Sequence, residues 1–174
     1  YKRKKTYSVE NSFLNTSYSD YGAIGYKNHT YFVSTRDVSE GVERIYGWNN
    51  QPFLDIYKVV DSSNAISKLP NSINTKFHEG AVCFTKDGKH MYFTRNNYFE
   101  NKNVKDSTGT NNLKIFRAEN VNGEWTNVKP LFFSSDHYSV GHPAISADGT
   151  KFFFTSDMPG GYGGTDIYMC EVHE

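Results

Sequence analysis

The chain has little of what most fold classes and many chemistries require. Of 174 residues only two are cysteine, Cys83 and Cys170, too few for a disulfide framework or a cysteine zinc site. Each sits inside an apolar run, 81–84 or 167–172, where a free thiol behaves as a small hydrophobe. Net charge is absent: Lys plus Arg and Asp plus Glu both number 19, so no global field favours nucleic acid or an anionic membrane. The one basic run, Lys2-Arg3-Lys4-Lys5, reads as a solvated end or strand edge. No apolar stretch approaches the roughly 18 residues of a membrane span, and no helical period of i, i+3, i+4, i+7 persists.

What the chain does have is rings. Aromatic residues make up 16%, with 13 Tyr and 13 Phe, a composition that suits pleated, half-buried surfaces. It also has repeats. His78-Glu79-Gly80-Ala81-Val82-Cys83-Phe84 leads through Asp87-Gly88 to Met91-Tyr92-Phe93-Thr94. Val140-Gly141-His142-Pro143-Ala144-Ile145 leads through Asp148-Gly149 to Phe152-Phe153-Phe154-Thr155. The two Asp-Gly pairs lie 61 positions apart. A degenerate first copy runs from Tyr21 to Asp37, with Asn28 in the turn. The connector rings Tyr18, Phe77 and Tyr138 keep the register, 59 and 61 apart.

Asp-Gly between two apolar runs predicts a two-residue hairpin, because Gly takes positive φ without a Cβ clash. Gly88 and Gly149 are therefore expected at positive φ. Asn28 is expected to serve the first unit, since Asn tolerates the left-handed region. Each unit then has an insert, a third run (residues 53–59, 113–118 or 165–170) and, in the first two units, a polar fourth strand at 65–69 or 124–131. Runs such as Phe152-Phe153-Phe154 are apolar on both faces, as strands are when sheets stack above and below them. A four-stranded meander at even spacing is a propeller blade. The fold class expected is all-β: a β-propeller of four-stranded antiparallel blades, about three present. Residues 1–16 would be the outer strand of a preceding blade plus connector, 17–73 and 74–134 two blades, and 135–174 an incomplete blade. Both ends fall inside the repeat, so a longer propeller is expected, its ring closed by missing blades or by a second copy.

The stretch Ser139–Gly149 resembles the TolB-type, WD-like propeller repeat. The run Ser156-Asp157-Met158-Pro159-Gly160-Gly161-Tyr162-Gly163-Gly164-Thr165-Asp166-Ile167-Tyr168, with 48–55 and 93–98, is similar to the propeller of OmpA-family envelope proteins from Bacteroidota, including the PorE type linked to type IX secretion and gliding. The resemblance implies a cell-envelope location on the periplasmic side of the outer membrane and a scaffolding task. It supplies no site residue, because the peptidoglycan-binding domain of that family is not among these residues.

The residues offer little chemistry. Gly160–Gly164 lacks the Lys-Ser/Thr and the helix of a phosphate cradle, and reads as a tight inter-strand loop. Ser146-x-Asp148-Gly149 lacks the rest of a sialidase aspartate box. No Gly-x-Ser-x-Gly elbow exists. The six histidines show no metal spacing, though His78 and His142 stand near the starts of innermost strands and could share a ligand at the ring axis. Asp20, Glu79 and Asp157 could approach the axis from separate blades. This leaves a glycan-binding or glycan-cleaving propeller as the alternative to a non-catalytic, protein-binding scaffold. No cofactor or metal is expected, and the partners expected are envelope proteins. Two inserts, 37–51 and 96–111, exceed what a hairpin needs and should lie side by side. Their rings Tyr46, Trp48, Tyr98 and Phe99 are the candidate partner-binding residues. The competing reading folds those rings back onto their own blades.

Overall fold

The computed structural model describes residues 7–36, 45–60 and 62–173. Residues 7–16, the described part of the expected outer strand and connector, form no strand, and the basic run Lys2–Lys5, the rest of the segment before residue 7 and the first part of the 37–51 insert lie outside the described residues. Among those residues every regular element is a strand. In chain order they are β1 (Asp20–Tyr26), β2 (His29–Ser34), β3 (Ile45–Tyr46), β4 (Gln51–Pro52), β5 (Asp55–Val60), β6 (Ala65–Lys68), β7 (Glu79–Phe84), β8 (His90–Asn96), β9 (Tyr98–Phe99), β10 (Lys102–Asn103), β11 (Leu113–Val121), β12 (Glu124–Pro130), β13 (Val140–Ile145), β14 (Lys151–Ser156) and β15 (Asp166–Glu171).

The strands form three antiparallel meanders, β1-β2-β5-β6, β7-β8-β11-β12 and β13-β14-β15, with two small hairpins, β3-β4 and β9-β10, inside the inserts. Among the described residues no sheet closes on itself. The tight turns follow the side-chain chemistry expected of them. Gly88 has φ +77° and Gly149 φ +79°, and Asp87 and Asp148 each accept from backbone N–H and hydroxyl groups around the turn. In the first sheet the left-handed residue is Lys27 at φ +54°, not Asn28. The expectation for Asn28 is corrected by one position. Strand β1 runs on to Tyr26, which pairs with His29 and makes Lys27 the first residue of the turn.

The middle sheet shows why its runs are apolar on both faces. Successive side chains of a strand point to opposite faces. Val82, Phe84, Met91, Phe93, Phe116 and Ala118 face the first sheet and pack with Tyr31, Ile56, Leu69, Ile73 and Trp125. Cys83, Tyr92 and Ile115 face the third sheet and pack with Val140, Phe152 and Phe154. Fully buried rings such as Phe93 and Phe116 stabilise by about 2–3 kcal/mol each. Phe84 sits at the junction of the first two sheets, its ring 4.3 Å from Tyr26 and 4.6 Å from Tyr31.

All three innermost strands carry a bulge at the same place, between Tyr21 and Ile24, Gly80 and Val82, and Gly141 and Ala144. The bulged residues are Gly22, Ala81 and His142, with φ of +65°, +34° and +54°. They lie 59 and 61 positions apart, the spacing of the connector rings. A bulge bends its strand and adds twist, and this one recurs even where the residue is not glycine.

Candidate functional site

The starts of the first two innermost strands carry equivalent acids. Asp20 pairs with Ser34 and Glu79 with Arg95 in the same register, so the two acids align closely. Each sits beside an arginine stacked on two core rings. The Arg36 guanidinium lies over Phe32 and Tyr57, and that of Arg95 lies 3.8 Å from the Phe116 ring centre and 5.6 Å from that of Phe93. Phe32 pairs with Tyr57, and Phe93 with Phe116. The two arginines therefore fill matching space although they stand two positions apart in the repeat.

The acids behave oppositely. Burial works against the charge of Asp20, but hydrogen bonds from Arg36, Ser34 and Thr16 outweigh it and hold the carboxyl down at about 2. Arg36 Nη2 is 2.6 Å from its Oδ1. Glu79 is 1% exposed. Burial pushes it up to about 8, opposed by a 2.6 Å hydrogen bond from Thr75. Its Oε2 and the Nε of Arg95 have no hydrogen-bond partner among the described residues. Arg95 Nη1 instead donates to the carbonyls of Ser72 and Ile73 at 3.4 Å. At the Glu79 position the third sheet has Val140, opposite Ser156; there the polar pair is replaced by apolar packing.

These positions bear on the alternative of acid catalysis. A groove of 360 Å³ runs along the innermost strands, lined by Ile24, Tyr26, Val82, Phe84, Pro143 and Ile145 among others. None of Asp20, Glu79 and Asp157 lines it. Asp20 is held by Arg36, Glu79 is enclosed between two sheets, and Asp157 accepts from the Ser139 N–H at 2.6 Å. His78 and His142 also differ. The ring of His78 lies between sheets one and two, while His142 is an exposed bulge residue whose N–H donates to Thr94 Oγ1.

The inserts meet. Tyr46, on the β3-β4 hairpin, has its ring 6.4 Å from Trp48, 5.4 Å from Phe53 and 4.4 Å from His78. Phe53 continues to His78 at 4.6 Å and to Phe77 at 6.0 Å, and Phe77 continues to Tyr98 at 5.2 Å. Lys76 Nζ lies 4.9 Å above the Tyr98 ring. Six rings thus form one unbroken run from the insert of the first sheet to that of the second. Trp48 is 87% exposed at its end. Of the four rings singled out from the sequence, the structure brings Tyr46, Trp48 and Tyr98 into this run. Phe99 departs from it: on a strand neighbouring residues point apart, and Phe99 turns inward, its ring 5.9 Å from Phe116. The linking rings Phe53, Phe77 and His78 were not among those four, although Phe77 is a repeated connector ring and His78 was expected near the ring axis.

His78 is fixed from both sides. Its backbone N–H donates to Asn96 Oδ1 at 3.0 Å, and its Nδ1 accepts from the Leu54 N–H at 3.1 Å. Burial lowers its pKa from 6.5. Among the described residues no group of three His, Cys, Asp or Glu is placed to hold a metal ion, and no helix is long and apolar enough to cross a membrane.

The chain is similar in fold to the solved structure of a protein named as a TolB from Agrobacterium tumefaciens. The TM-score is 0.50 and the identity 17%; the match covers 83% of this chain and 42% of that one. At this identity the likeness shows the fold alone. The chain spans less than half the length of that neighbour. No family model matches the sequence, and no curated protein matches it.

Proposed function

We propose that the chain is a three-blade arc of a longer β-propeller and acts as a non-catalytic, protein-binding scaffold of the cell envelope. In this reading the blades are 17–73, 74–134 and the incomplete 135–174, with 1–16 as outer strand and connector. The ring is closed by further blades or by a second copy. Three meanders stacked through their inner strands, together with the TolB-type likeness, support the arc.

The observation that carries the binding reading is the run of rings. Aromatic side chains supply large contact area at low entropy cost and are enriched at interface hot spots. Here they bridge two sheets and end in an exposed Trp48. None of Asp20, Glu79 and Asp157 lines the groove along the inner strands, so the ring run carries the reading rather than the acids. The finer reading is an OmpA-family component of the periplasmic side of the outer membrane, of the kind linked to type IX secretion; it rests on the residues of 156–168.

The test is substitution of Trp48 and Tyr98 by Ala, with melting temperature and capture of envelope proteins measured together. Loss of partners at unchanged stability supports the reading. Loss of stability with partners retained overturns it, because the rings would then serve the core.

A further inference from the structure

The sheets repeat their contacts with one another, and one face of the third sheet lacks the contact its counterparts make. Ile56 pairs with Val33, Ile115 with Thr94 and Ile167 with Thr155, one register in three sheets. Ile56 and Ile115 are both 0% exposed and pack toward the sheet that follows. Ile167 is 78% exposed and Met169 51%. These two lie on the face opposite to Phe154 and Tyr168, which pack toward the second sheet.

Hydrogen bonds mark the same junction. The N–H two residues before the isoleucine is capped from the connector of the next sheet. The Leu54 N–H donates to His78 Nδ1 at 3.1 Å and the Leu113 N–H to Ser139 Oγ at 3.2 Å. Their counterpart, the Thr165 N–H, donates to no described residue. Thr94 Oγ1 accepts from the N–H of the bulged His142 at 2.9 Å; its counterpart Thr155 stands on the open face. The other end of the arc is closed. Phe32 and Tyr57, counterparts of Phe93 and Phe116, are 1% and 0% exposed although no described sheet precedes them, and the Arg36 guanidinium lies over both rings.

We infer that the open face of the third sheet takes a further blade of the same repeat, not the first sheet of a second copy. The inference rests on the reading of the chain as an arc of a longer propeller and names the partner of its open end. A second copy continuing the ring would have to present Phe32 and Tyr57, which are already covered. The repeat states what the occupant brings instead. Its rings lie against Ile167, as Phe152 and Phe154 pack with Ile115. A side-chain acceptor before its inner strand caps the Thr165 N–H, as Ser139 caps Leu113. The N–H of its bulge reaches Thr155, as that of His142 reaches Thr94.

The chain can supply such a blade itself. Ile115 and Ile167 are 52 positions apart, so Glu174 stands where Asn122 stands, and a copy of residues 123–174 joined after Glu174 continues the repeat in register. An extension of 123–134 alone adds the outer strand without the blade. Ile167→Thr, at the original position, is made in the 174-residue chain and in the full extension. Urea unfolding and contact of the Ile167 and Met169 methyls with a soluble paramagnetic probe are measured. The expected result is loss of probe contact in the full extension only. Ile167→Thr should leave the parent's midpoint unchanged and lower the folded-to-unfolded ratio of the full extension by about tenfold. A copy that folds while Ile167 keeps its probe contact overturns the inference and leaves the arc standing, as does loss of contact with 123–134 alone. A copy that forms no sheet overturns both. In sedimentation of the parent, a defined dimer that Ile167→Asp dissolves assigns the face to a second copy and overturns the inference.

Discussion

Replacing Glu79 by Gln isolates an acid that is only 1% exposed. The carboxyl rises from 4.5 to about 8 on burial, so ionising it in place costs about 5 kcal/mol more than in the unfolded chain. Its folded-state pKa lies above the unfolded value. Its contribution to stability is therefore complete below about pH 4.5 and is lost as pH rises through about 8. Gln has the same shape and never ionises. Urea unfolding followed by the fluorescence of the buried Trp125 should show the two proteins within about 1 kcal/mol of each other near pH 5. Across the window above that, the variant should gain on the wild type by on the order of 1 kcal/mol per pH unit. Taking the difference between the proteins removes the titration of every other group. Equal pH dependence in both would refute the reasoning and show that Glu79 is ionised in place, paired with Arg95.

Other expectations are quicker to check. His78 should contribute in the opposite direction to Glu79: its folded pKa is depressed below 6.5, so its share of stability is present above that value and lost as pH falls. His78→Phe should remove that loss in melting curves between about pH 7 and pH 5. A Cβ at Gly149 would meet open space but would require a left-handed backbone. Gly149→Val should thus cost about 1–2 kcal/mol through strain alone, and an unchanged melting temperature would contradict this. Phe99→Ala should destabilise by about 1–3 kcal/mol because the ring packs on Phe116, while exposed Trp48→Ala should stay within about 0.5 kcal/mol; equal effects would place both rings in one environment.

Much of the fold is legible in the sequence, for a physical reason. Asp-Gly turns and two-faced apolar runs are local signals, and the second sheet follows them: the runs at 78–84, 91–94, 113–118 and 124–131 correspond to β7, β8, β11 and β12. The bulge shared by Gly22, Ala81 and His142 is not local. No propensity of Ala or His announces it, and in the third sheet the bulged His142 N–H reaches Thr94 of the second. The pairing of Asp20 with Arg36 and the enclosure of Glu79 beside Arg95 were hidden likewise, because the two arginines occupy different repeat positions and are equated only by the rings beneath them. In the site, the matched places of the two inserts in the repeat could be read from the sequence. The direction of each ring could not: Tyr98 and Phe99 are neighbours in sequence and diverge because a strand sends them to opposite faces. His78, expected near the ring axis, lies instead in the run of rings, with its Nδ1 accepting from the Leu54 N–H.

The most direct test of the account is the footprint of a captured envelope partner on the ¹⁵N-labelled chain. The account predicts that the largest shifts fall on Tyr46, Trp48, His78 and Tyr98, across both inserts, while the Asp87-Gly88 and Asp148-Gly149 turns remain unmoved. A footprint centred on those turns, or on the outer edge at β15, with the ring run unperturbed, would contradict it.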